Sequence, residues 1–194
     1  MKKTLLLFAV IFISTLNYAQ NNFGVFAGAN YSYFTDGFLE KTSAERSFGI
    51  QVGVLYDLEL TKKISFRPKL SFSQQGDNTK TDQTNQFELG ELDYKLTYLN
   101  TSLDFKFWDK IYLLVGPQFG FLIDQKALSR DFGELDSKTD YGLNLGGGFT
   151  INQLFFELGL YQGLTTLFEY DTPFTEGATV VKNGHLKFTA GYNF

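Results

Sequence analysis

At 194 residues the chain has room for one sizeable domain and is short for two. A net charge of -4 argues against a nucleic-acid partner, and the absence of cysteine excludes a disulfide framework, a thiol nucleophile and a lipidated-cysteine anchor. Aromatic residues reach 18%, with Phe 22 and Tyr 11, and Gly 19 stands against Pro 3, a balance that favours extended structure over helices.

The chain begins with a targeting pattern. Lys2 and Lys3 precede an apolar run from Leu5 to Ile13, and Asn17-Tyr18-Ala19 ends on a small residue suited to cleavage. Residues 1–19 are therefore expected to be a signal peptide and residues 20–194 the mature domain. The run is shorter than the ~20 residues a helix needs to span a bilayer. Losing the two lysines takes the net charge from -4 to -6, because the segment contains no acid.

Beyond residue 20 the hydrophobic pattern has period 2. Residues 23–34 set Val25, Ala27, Ala29, Tyr31 and Tyr33 against Gly24, Gly28, Asn30 and Ser32. The second segment is the clearest, with Phe48, Ile50, Val52, Val54, Tyr56, Leu58 and Leu60 on one face and Gln51, Gly53, Asp57 and Glu59 among the residues of the other. Residues 64–75 alternate Phe66, Leu70 and Phe72 with Ser65, Arg67, Lys69, Ser71 and Ser73. Residues 95–107 set Leu99, Leu103, Phe105 and Phe107 against Asn100, Ser102, Asp104 and Lys106. The pattern continues through 111–123, through Tyr141 to Ile151, and through Phe156 to Leu164, where Glu157 falls on the polar face. A last segment places Leu186, Phe188, Ala190, Tyr192 and Phe194 opposite Lys187, Thr189, Gly191 and Asn193. Segments of this length exceed the ~5–6 residues of a globular strand and match the ~9–11 of a tilted membrane strand.

The connections alternate: long at 35–46, short at 61–63, long at 76–93, short at 108–110, long at 124–139, short near 152, long at 165–183. Such sorting of long loops and tight turns predicts an all-β fold, an up-and-down antiparallel transmembrane β-barrel of about eight strands in a Gram-negative outer membrane. In it Arg67, Lys69, Asp104, Lys106, Glu157 and Lys187 point inward as structural interior charges. A hairpin register with residue sum 171 places Arg67 opposite Asp104. Eight strands leave an interior that side chains fill, so a plug of salt bridges is expected rather than a charged constriction.

Other motifs read as structural. His185, the single histidine, is expected at the barrel rim, and it leaves no metal or general-base constellation. Gly146-Gly147-Gly148 lacks the lysine and helix of a phosphate loop. Asp77, Asp82, Glu88, Glu91 and Asp93 make an acidic loop whose spacing matches no calcium loop. Trp108, Tyr112, Tyr56 and Phe66 near the short turns, and Tyr31, Phe34, Phe72, Tyr94 and Tyr98 near the long loops, are expected to form two interfacial aromatic girdles. Carbohydrate stacking by Phe168 and Tyr170 is the functional rival for loop aromatics.

Several stretches carry a resemblance. They are Phe23-Gly24-Val25, Gly28-Ala29-Asn30-Tyr31-Ser32, Phe66-Arg67-Pro68-Lys69-Leu70 and Tyr98-Leu99-Asn100-Thr101-Ser102-Leu103, then Leu113-Leu114-Val115-Gly116-Pro117, Tyr161-Gln162-Gly163-Leu164-Thr165 and Gly191-Tyr192-Asn193-Phe194. The chain resembles the small outer-membrane β-barrel domain of Gram-negative bacteria, often labelled porin family, an OmpA/OmpX-like eight-stranded barrel. Where that family tends to carry proline in the fourth strand, this chain has Ser102. The resemblance implies an integral outer-membrane barrel among lipid and lipopolysaccharide, with no shared reaction, cofactor or ligand. It also implies that the terminal aromatics Phe188, Tyr192 and Phe194 serve as an assembly signal for the barrel assembly machinery. The expected role is non-enzymatic, with long extracellular loops serving surface interaction, adhesion or envelope integrity. The alternative is a narrow passive channel for ions or very small solutes; a lipid-modifying enzyme is disfavoured for want of a catalytic set.

Overall fold

The computed structural model describes residues 23–35, 47–79, 92–127, 137–171 and 178–194. Ten strands run in chain order: β1 (Phe23–Thr35), β2 (Ser47–Tyr56), β3 (Leu58–Thr61), β4 (Ile64–Thr79), β5 (Leu92–Phe107), β6 (Ile111–Ala127), β7 (Thr139–Ile151), β8 (Leu154–Gly163), β9 (Phe168–Asp171) and β10 (Ala178–Asn193). β3 continues the line of β2 along β4, and β9 pairs with β10 beyond the end of β8. The wall therefore has eight staves. Every pairing is antiparallel, and β10 returns to β1 from Gly24↔Asn193 to Thr35↔Lys182, so the sheet closes on itself. Closure leaves no backbone edge in an apolar surround, where each unpaired group costs several kcal/mol.

The faces follow the period of the sequence, with burial inverted relative to a water-soluble protein. Phe48, Ile50, Phe72, Ile111, Phe121 and Leu158 are exposed around the outside, whereas Arg67, Asn100, Asp104 and Glu157 are buried within. A secreted barrel or sandwich would turn its apolar face inward. An apolar outer band with a polar lumen is the arrangement that lipid demands.

Short turns gather at one end. Asn152 and Gln153 make a two-residue hairpin turn, in which Asn152 takes the left-handed conformation (φ 56°) that short polar side chains tolerate. Trp108 is also left-handed (φ 71°), uncommon for a bulky residue; its N–H donates to the Lys63 carbonyl of the neighbouring turn at 2.8 Å. At the other end several strands outrun the segments 64–75, 95–107 and 111–123 read from the sequence. β4, β5 and β10 have 16 residues and β6 has 17. Pairing from Gly76↔Lys95 to Thr79↔Leu92 converts much of the expected second loop, including Asp77 and Asp93, into hairpin. Phe168 and Tyr170 lie in β9. Residues 1–19, and Asp82, Glu88 and Glu91, lie outside the described residues.

Two prolines interrupt the ladders. β2 pairs with β4 as far as Leu55↔Lys69 and β3 resumes at Leu58↔Phe66, skipping the level of Pro68. β5 pairs with β6 to Ser102↔Gln118 and resumes at Phe105↔Val115, skipping Pro117. Proline has no N–H to donate, so each break falls where a donor is missing.

Candidate functional site: the lumen

The β4–β5 hairpin has the residue sum 171, and Arg67 is the Cα partner of Asp104. The guanidinium nevertheless goes elsewhere. On the opposite flank the β2/β3–β4 register places Asp57 level with Arg67. There Arg67 Nε and Nη2 donate to the two Asp57 carboxylate oxygens, each at 2.5 Å. Arg67 Nη1 reaches across the lumen to Glu157 Oε1 on β8 at 2.5 Å. Glu157 also accepts from Lys69 Nζ at 2.7 Å and from the Tyr112 hydroxyl at 3.1 Å. Asp104 pairs instead with Lys69 at 3.4 Å and accepts from Asn144 Nδ2 at 3.3 Å. Lys106 lies 3.5 Å from Asp57.

Bidentate geometry and shared carboxylates are what a fully buried guanidinium requires, since an unpaired charge there would cost many kcal/mol. Aromatic faces complete the cage. The Arg67 Cζ lies 5.1 Å from the Tyr112 ring centre and 5.5 Å from that of Phe155, and Lys106 Nζ lies 4.8 Å above Tyr112. Lys187, on β10, has no carboxylate within salt-bridge distance among the described residues; its Nζ donates to Gln118 Oε1 at 2.5 Å and Asn144 Oδ1 at 2.7 Å. All six inward charges named from the sequence thus lie in the lumen, and five of them share ion pairs. Asp57 is the partner that sequence reading missed. The turn at 62–63 alone would align residue 57 with 68; the bulge between Glu59 and Thr61 shifts the register by one and brings Asp57 level with Arg67, which the alternation does not reveal.

The lumen is closed at two levels. Phe26, Leu55 and Phe155 form an apolar cluster towards the short turns, and Phe34, Leu96, Tyr98, Leu167 and Val181 form another towards the long loops. Between them lies a cavity of about 40 Å³ bordered by Lys69, Asp104, Gln118, Asn144, Glu157 and Lys187, room for about three waters. Three aromatics assigned to the girdles are therefore in the lumen: Tyr112, Phe34 and Tyr98. Glycine makes the room. A Cβ on Gly148 would stand 2.7 Å from the Tyr112 ring, and one on Gly53 2.7 Å from the Phe26 ring. Tyr33, assigned to the lipid face, is buried with its ring across Gly184.

His185 is not at the rim. It is 0% exposed, stacked on Tyr161 with ring centres 4.7 Å apart, and neither ring nitrogen has a hydrogen-bond partner. Nearby, Asn183 Nδ2 donates to Gln75 Oε1 and to Asp140 Oδ2. Phe188, Tyr192 and Phe194 point outward along β10; Phe194 stacks on Phe23 at 5.8 Å and its N–H donates to the Phe23 carbonyl at 2.9 Å.

A closed eight-stave antiparallel barrel with an apolar outside and an ion-paired lumen defines a small outer-membrane barrel. The sequence profile of the outer membrane protein beta-barrel domain matches residues 18–169. The chain belongs to that family and resides in the outer membrane. No curated relative matches it. Among solved structures, neisserial surface protein A is 13% identical, with 89% of this chain and 97% of that one covered and a TM-score of 0.58; this likeness shows the fold. OprG of Pseudomonas aeruginosa (13% identity, 91% and 97% covered, TM-score 0.49) and Ail, the attachment invasion locus protein of Yersinia pestis (17%, 90% and 99%, 0.44), are looser matches.

Proposed function

We propose that the protein is a non-enzymatic outer-membrane barrel that conducts little or nothing, with its role carried at the long-loop end in surface interaction, adhesion or envelope integrity. The observation that carries this reading is the filled lumen. The charge network and the Phe26, Leu55 and Phe155 cluster fill the lumen at one level, a second apolar cluster fills it towards the long loops, and the cavity between has a volume of about 40 Å³. A passive channel needs a continuous wet path, and any path here would have to pass Arg67 and Glu157 while they hold each other.

The outward aromatics Phe188 and Tyr192 lie on β10, the strand that closes the barrel on β1, and Phe194 follows it directly. That position supports a role as the strip which the barrel assembly machinery reads. Reconstitution in planar bilayers tests the main reading. Inserted protein is expected to show no steady conductance, and stable open channels in most insertions would overturn the closed-lumen role.

A further inference from the structure

Apart from Thr101, the outward rows of β4, β5 and β6 are apolar up to Phe72, Leu99 and Ile123. Immediately beyond, towards the long loops, the chemistry changes. Leu96 is fully buried in the lumen, so its neighbours Lys95 and Thr97 face outward. Pairing across β5–β6 is shifted by one residue between Thr97 and Tyr98, after which Thr97 faces Asp124 and Lys95 faces Lys126. Two lysines are thus direct cross-strand partners on the outer face of a protein with net charge -4. Like charges in that relation repel and weaken the pairing.

Asp124 lies 3.6 Å from Lys126, but their side chains are 51% and 66% exposed, so the pair is a weak, exchangeable one. Lys95 is exposed as well, and Gln74, the partner of Thr97 on β4, adds an exposed amide. Below this patch the exposed side chains of Phe72, Phe121 and Ile123 present an apolar surface. The two lysines lie one outward position beyond Thr97 and Asp124, on the long-loop side of the apolar band, where the headgroups of a leaflet meet a barrel wall.

We propose that Lys95 and Lys126 form a binding site for the phosphate group of a phosphorylated glycolipid of the outer leaflet. The phosphate sits between the two ammonium groups and relieves their repulsion. The acyl chains lie down the wall over Phe121, Ile123 and Phe72. Asp124 holds Lys126 when the site is empty and yields it when phosphate arrives. The site rests on the outer-membrane placement of the barrel and deepens it by assigning one lipid class to one face.

The test uses the full mature chain refolded in phosphatidylcholine vesicles doped with radiolabelled bisphosphorylated lipid A or with its enzymatically dephosphorylated form, followed by detergent extraction and measurement of lipid retained per barrel. Wild type should retain the phosphorylated lipid, and the double variant K95Q/K126Q should retain about thirtyfold less, from the loss of two surface cations at roughly 1 kcal/mol each. D124N should retain more than wild type. The dephosphorylated lipid should be held weakly and equally by all three, and millimolar inorganic phosphate should not displace the lipid.

Equal retention by wild type and K95Q/K126Q, or equal retention of the two lipid forms, would overturn the site. Full displacement by free phosphate would overturn the lipid as its source. Heat-modifiable gel mobility in the same samples reports whether the barrel has formed, so failure of the barrel is distinguishable from failure of the site.

Discussion

Towards the short turns the lumen is filled by charge: Asp57, Arg67, Lys69, Asp104, Lys106 and Glu157 hold one another through shared carboxylates. Towards the long loops it is filled by rings and amides. There the Tyr98 hydroxyl, one oxygen of Asn183 and both His185 nitrogens lack a hydrogen bond. At the short-turn end one oxygen each of Thr150 and Asn193 also lacks a partner, but every charged group of the network has one. A buried polar group without a partner costs about 1–3 kcal/mol, so the charged half is the rigid floor of the barrel and the aromatic half the less stable part. Opening under stress should begin at the long-loop end.

The largest effect is expected at Glu157. Glu157→Ala removes the anion shared by Arg67 and Lys69 at 2.5 and 2.7 Å and leaves an uncompensated cation, which should cost about 3–5 kcal/mol in urea unfolding of the vesicle-inserted barrel. Asp104→Ala should cost less, about 1–3 kcal/mol, because Lys69 keeps Glu157 and the lost contacts are the longer ones at 3.3 and 3.4 Å. If Asp104→Ala proved the costlier change, Glu157 would not be the centre of the network. The smallest effect, with opposite sign, is expected in the other half. His185→Phe keeps the stacking on Tyr161 and removes two unpaired nitrogens, so it should leave stability unchanged or raise it by about 1 kcal/mol. A clear loss of stability would mean that those nitrogens are bonded, and the contrast between the halves would dissolve.

The face of nearly every strand residue was legible in the sequence, because a period of 2 across a closed wall admits no other arrangement. The 171 register of β4 and β5 is as expected, but a long connection joins these strands, so the match of their two faces and not a tight turn constrained it. Which carboxylate Arg67 would choose was not. Periodicity gives a face but says nothing of partners across the lumen, and Glu157 is 90 residues away on a stave that only closure brings near. Tyr112 and Tyr98 failed differently. Their positions in the alternation put them inside with Leu114 and Asn100, but the general rule for aromatics at membrane interfaces was allowed to outweigh it. Strand length was underestimated because lipid thickness sets only a minimum, and hairpins such as Gly76↔Lys95 to Thr79↔Leu92 keep pairing above it.

The lumenal rings seated over glycines carry a consequence for how this sequence can vary. The Tyr112 ring occupies the volume that a side chain on Gly148 would need, and Phe26 and Phe155 stand in the same relation to Gly53 and Gly191. Neither member of such a pair can drift alone. A larger residue at the glycine collides with the ring, and a smaller residue at the ring opens a void in a lumen that has little to spare. Substitution must therefore pass through both positions together, so among relatives these pairs should be inherited as units, locked more tightly to each other than to their neighbours in the chain.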